Sequence, residues 1–285
     1  MSTMAIAWLT VREAARRRLF IALLLITVTA VAITAWGFAQ IRDALPPGTL
    51  TSDVERQLIY GQVLILLTFM FSFVLALSAV FIAAPIVAGE LESGIALALL
   101  ARPVRREAYL LGRWLGVALL VFGYAIGAGI AELLVVGLVT GYAPPSPIIA
   151  IGFLCAEALV LLTLALALST RLSAITAGVI GVAIFGLAWI AGIVGGVGVA
   201  LEEPGVARVG EISRILLPTD GLWRGVAYFL EPSSVLFAAQ EAGPRAAAFP
   251  FFASEPPSTL YMAWCVAWIV GVLALAIVSF RRREI

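Results

Sequence analysis

Residues 87–116 read VAGELESGIALALLARPVRREAYLLGRWLG, the long charged and helix-compatible interruption in the first half of an otherwise very apolar chain. Glu90 and Glu92 follow one long uncharged run, and Arg102, Arg105, Arg106 and Arg113 precede the next. Between them, residues 95–100 offer an apolar face too short to cross a bilayer, which needs about 20 residues of helix. The segment is expected to lie along the inner membrane surface and present a docking face to the cytoplasm.

Working outward, the composition demands lipid as the solvent. The chain has 285 residues, 62% of them hydrophobic and 12% charged, with a mean hydropathy of +1.10. A soluble domain carries about 25% charged residues; with half that, the surface cannot be solvated by water. The formal net charge of +1 points to no nucleic-acid partner. Histidine is absent, which removes the commonest general base and metal ligand. Cys155 and Cys265 both fall in apolar runs and read as packing residues, not a disulfide or metal framework. All 18 basic residues are arginine, which we read as codon composition of a GC-rich bacterial genome.

Six spans follow in order. Residues 1–18 carry Trp8 and a run of arginines and read as an interfacial helix, with no cleavage pattern of a removable signal peptide. Residues 19–39 are uncharged and long enough for about 30 Å of hydrocarbon. Residues 58–89 exceed what a bilayer needs, so the second span is expected to project past the inner face, with a kink at Pro85. The third span is 114–140, containing Glu132, and the fourth is 148–169, containing Glu157. The glycine-rich fifth is 174–201 and the sixth 259–280. Segment 202–258 is too apolar for disorder and is expected to form two or three short helices at the outer leaflet, one starting at Thr219-Asp220. The expectation is one all-α integral membrane domain over 1–285.

Arginine placement orients it. With both termini cytosolic, twelve arginines fall inside (12, 16, 17, 18, 102, 105, 106, 113, 171, 281, 282 and 283) and six outside. Trp36, Tyr60, Tyr142 and Tyr261 then lie near the outer interface as an aromatic belt.

In this order, Glu90-x-Glu92-x-Gly94, Leu99-Leu100, Arg102-Pro103-Val104-x-Arg106 and Gly112-Arg113-x-x-Gly116 resemble the cytosolic signature of type-2 ABC exporter permeases. The likeness is to the group that includes the permease of the nitrous-oxide-reductase maturation transporter. One departure is Arg113 where a lysine is usual, which keeps the charge. The resemblance implies a coupling segment, 90–113, in which Glu90, Glu92, Gly94, Pro103, Val104, Arg105 and Arg106 receive the motion of an ATPase. It implies two ABC ATPase subunits binding ATP and Mg, and a second permease, identical or related. It also implies spans one and five near the seam between permeases, in a bacterial inner membrane. Pro218-Thr-Asp220 with Arg224 resembles the same group more loosely. The chain itself has no Walker A pattern, and without lysine none is possible, so no cofactor is expected on it.

Two further readings come from the residues. Glu132 and Glu157 lie at similar depth near the membrane centre, eight and nine residues from the outer ends of their spans, where a carboxylate must face protein or water. They are candidates either for the translocation path, meeting a cationic or hydrogen-bonding substrate, or for an inter-helix hydrogen bond. Gly192-x-x-x-Gly196 has the form of a close helix contact. The other function classes are a secondary transporter or channel, which would show paired halves with matching broken helices, and a non-transporting membrane assembly factor. An adjacent ATPase gene separates them.

Overall fold

The computed structural model describes residues 2–15, 18–45, 53–92, 105–233, 235–236 and 243–283. Among these, every regular element is helical. Helix α1 (Thr3–Ala15) is followed by the first two spans, α2 (Arg18–Ala44) and α3 (Asp53–Glu92). Spans three to five are α4 (Arg106–Thr140), α5 (Pro147–Ser169) and α6 (Ala174–Ala200). The segment before the last span forms α7 (Pro204–Leu216), α8 (Thr219–Leu230) and a 3-10 turn (Gly243–Ala248), and span six is α9 (Thr259–Arg281). Six of these helices are long and apolar enough to cross a membrane, and the backbone reason is that lipid supplies no hydrogen-bond partners outside the helix.

Several helices outrun the apolar pattern. α3 has 40 residues, about 60 Å, and runs through Pro85 without a break. α4 begins at Arg106, eight positions before the expected start of span three, and α2 continues past residue 39 to Ala44. Hydropathy ends where lipid ends, whereas a helix ends where its backbone loses partners or its faces lose contacts. The inner end of α4 keeps both.

Span four is the hub. Two-thirds of its apolar window (67%) is buried, against 11% for α2, which lies at the periphery against α4. Leu154, Ala158, Leu161 and Ala165 of α5 pack with Leu75, Ala79 and Ala83 of α3 and with Trp223, Val226 and Leu230 of α8. Lipid tails are as apolar as leucine, so what favours this packing is close fit between small residues and not escape from water. The Phe69 ring meets Trp189, Trp223 and Phe251 at 5.4, 5.1 and 5.0 Å between centroids, joining α3, α6 and α8.

Tight turns complete the antiparallel pairs. Gly141 takes a left-handed φ of 73° at the end of α4, a conformation that costs glycine little. Pro147 then opens α5, where its missing N–H is no loss. At the other end, Ser173 caps α6 by accepting from the Thr176 N–H. The expected helix start at Thr219 is present, and α8 is far more buried than a surface helix: Thr219, Asp220, Leu222 and Trp223 are all buried.

Candidate functional site: the inner-face junction and the buried polar groups

The signature Gly112-Arg113-x-x-Gly116 has a geometric purpose. Gly112 and Gly116 leave a flat strip on the inner end of α4, and α1 lies on it: a Cβ at Gly112 would overlap Ile6, and one at Gly116 would overlap Thr10. Ile6, Ala7 and Thr10 are accordingly buried while Met4, Trp8 and Leu9 on the opposite side are exposed.

From that strip Arg113 reaches three partners on two other helices. Its guanidinium pairs with Glu90 at the inner end of α3 and with Glu13 of α1 at 3.3 Å, and it donates to the Thr10 hydroxyl at 3.2 Å. Tyr109, one turn earlier on α4, donates its hydroxyl to the other Glu90 oxygen. The Arg113 and Glu90 side chains are 11% and 16% exposed, whereas Glu13 is half in solvent at 51%. Arginine suits this place because its fixed fork of donors serves several acceptors at once. The outcome is one charged knot tying α1, α3 and α4 where segment 93–104 leaves α3 and enters α4.

Both Glu90 oxygens are thus engaged within the chain. Arg106 is engaged too, donating to the carbonyls of Arg281 and Arg283 at 3.1 and 2.8 Å. Arg105 is exposed at the start of α4. Glu107 pairs with Arg281 at 3.2 Å, and Arg283 donates to the Thr170 carbonyl at 2.7 Å, so the inner ends of α4, α5 and α9 are laced together. Glu92 is the last residue of α3, while Gly94, Pro103 and Val104 lie outside the described residues.

The two intramembrane acids share a depth but not a site. Glu157 is 3% exposed and accepts from the Ser72 hydroxyl at 2.7 Å, which holds α5 to α3. The Glu157 side chain therefore lies in a helix contact among core residues, the inter-helix hydrogen bond that was one of its two expected readings. Glu132 instead lines a cavity of about 330 Å³ between α2, α3, α4 and α5, and one of its oxygens is buried without a hydrogen-bond partner.

Gly192 also acquires partners that spacing could not name. A Cβ at Gly192 would overlap the Asp220 carboxylate of α8, and the Gly192 carbonyl accepts from Arg224 at 3.4 Å. Asp220 receives Arg214 at 2.7 Å and Arg224 at 3.2 Å. Along the same face, Gly195 meets Gly210 of α7 backbone to backbone. Gly196 is buried. These small residues of α6 therefore seat the outer helices of the same chain.

Sequence reasoning missed one further group. Glu231, just after α8, is fully buried; it accepts from Gln62 of α3 at 2.6 Å and leaves its other oxygen unpartnered. Burial raises its pKa to about 8, with Tyr142 facing it from the α4–α5 turn. Nothing in the local sequence marks Glu231 as different from the other outer acids. Among the described residues no group of three or more metal-ligating side chains occurs.

The family model described as ABC-2 family transporter protein matches residues 4–285. A search of curated proteins finds no match.

Proposed function

The chain belongs to the ABC-2 transporter family, and we propose on that premise that it is the permease subunit of an ATP-driven exporter. In this reading two ABC ATPase subunits, separate chains holding ATP and Mg, dock beneath the inner face. A second permease copy or relative completes the path, and alternating exposure moves substrate outward across a bacterial inner membrane. The likeness to the nitrous-oxide-reductase maturation group belongs to this proposal as well.

The observation that carries it is the knot of Arg113 with Glu90, Glu13 and Tyr109. Force applied to segment 93–104 reaches the membrane through the ends of α3 and α4, and those ends are cross-tied to each other and to α1. A push there moves three helices together and does not merely bend a loop. Arg105 is the exposed charge offered to a partner.

Glu90→Ala and Gly94→Val test the proposal. Each variant is expected to insert normally and to lower transport, with the ATPase released or hydrolysing ATP without transport. Full transport by both variants would overturn it.

A further inference from the structure

The cavity beside Glu132 is a built site in the outer half of the membrane. Its floor on α5 runs only from Pro147 to Leu154, and Leu230 at the end of α8 lies over it. Glu132 stands eight residues from the end of α4, about 12 Å below that end. Four other polar side chains share the wall, and three are already satisfied. Thr27 and Tyr124 hydrogen-bond each other at 3.1 Å, Thr27 also donates to the Leu23 carbonyl, and Thr68 donates to the Leu64 carbonyl at 2.8 Å. Thr34 lies beside the Glu132 carboxyl group.

What is missing is a donor for the remaining Glu132 oxygen. No arginine occurs among the described residues lining the cavity. An acidic side chain at mid-span costs about 2.5–3.5 kcal/mol on insertion scales, so an unanswered one is a demand for a partner. The rest of the wall is aliphatic and aromatic. Ile26 and Ile33 of α2 and Met70 and Val74 of α3 line the cavity and are also exposed on the outer surface of the helices, which opens it sideways to lipid.

Size selects among amphiphiles. Small-molecule sites run from about 300 to 1,000 Å³, and at about 330 Å³ this cavity holds one alkyl chain or compact ring system, not a two-chain lipid or a polymer.

We propose that the cavity bounded by α2, α3, α4 and α5 is a lateral binding site for single-chain amphiphiles with a primary ammonium group, which donates to Glu132 while the chain occupies the apolar wall. The proposal names a substrate class for the exporter and rests on that reading only for the transport step, not for binding.

The test uses the full chain in lipid nanodiscs with no ATPase and no ATP. The probe is a dodecylammonium bearing a mid-chain diazirine, compared with the neutral dodecanol bearing the same group. The expected result is saturable labelling of α2 and α4 peptides around Thr34 and Glu132, at least tenfold above the alcohol and competed by plain dodecylammonium. Glu132→Gln should keep the thermal stability of the parent and lose at least tenfold of that labelling, and Glu132→Asp should retain part of it. Equal labelling by amine and alcohol would overturn the proposal. Unchanged labelling of the glutamine variant would do so too, as would cross-links showing a second copy of the chain filling the cavity. Loss of binding here leaves the exporter reading intact, because neither ATPase nor ATP is present, and the exporter reading fails instead on transport by the Glu90 and Gly94 variants.

Discussion

Replacing Arg113 by methionine keeps most of the apolar stem of the side chain and removes the charged guanidinium at the centre of the inner junction. The cost depends on what is stranded. Glu13 is half exposed, so its pair with Arg113 contributes no more than about 1 kcal/mol. Glu90 is 16% exposed and keeps the Tyr109 hydroxyl while losing its arginine. Breaking a buried pair from one side costs about 3–5 kcal/mol because an uncompensated charge remains; partial exposure puts Glu90 at the lower limit, about 3 kcal/mol. Since 1.4 kcal/mol is about tenfold in an equilibrium constant, the single variant should shift the unfolding equilibrium by about two orders of magnitude. Glu90→Gln alone leaves Arg113 with Glu13 and water and should cost about 1–2 kcal/mol. The double variant has no stranded charge, so it should be less destabilised than the sum of the two by about 1–2 kcal/mol. Reversible unfolding of the purified full chain in mixed micelles, read by helical circular dichroism, measures all four corners. Additivity within about 0.5 kcal/mol would refute the knot as a mechanical unit.

Gly112→Val should lift α1 from α4 because its Cβ would overlap Ile6; protease accessibility of residues 3–15 should rise while the spans stay inserted. Gly192→Val should push away Asp220 and so release both Arg214 and Arg224, at a cost of about 1–3 kcal/mol from overpacking, read as a lower melting temperature. For Glu231 the folded pKa of about 8 lies above the unfolded carboxylate value of about 4.3, so the neutral form is the one the fold favours. Its stabilisation is full below the unfolded value and is lost as pH rises through about 8. Glu231→Gln should remove the part of the melting-temperature decline between pH 5 and 9 that this group causes; an unchanged pH profile would contradict the assignment.

The spans were legible because apolar run length and bilayer thickness are commensurate, and residues 148–169 and 259–280 match α5 and α9 to within a residue or so. Helix beyond the lipid was legible at the end of α3 and not at the start of α4. The first turns of α4 are polar, and what holds them helical is α1 and the carbonyls of Arg281 and Arg283, far away in sequence. Depth was legible for Glu132 and Glu157, since it is only a count along each helix; azimuth was not, and it separates a cavity wall from a sealed contact with Ser72. The glycines of α6 announced close approach without naming its partner, because Gly192 and Asp220 meet only after the chain has turned through α7. Glu90 and Arg113 both stood in the signature, yet their pairing needed the inner ends of α3 and α4 to lie side by side.

The central claim is that the inner junction receives an ATPase, and cross-linking at Arg105 tests it most directly. A single cysteine at Arg105, in a chain with Cys155 and Cys265 replaced by alanine, should be protected from an impermeant thiol reagent in intact cells, while one at Ser254 reacts. In opened native membranes a bifunctional reagent at Arg105 should capture a Walker-motif ATPase, with a yield that changes when ATP is added. Labelling of Arg105 in intact cells, or cross-linked products free of any ATPase, would contradict the account.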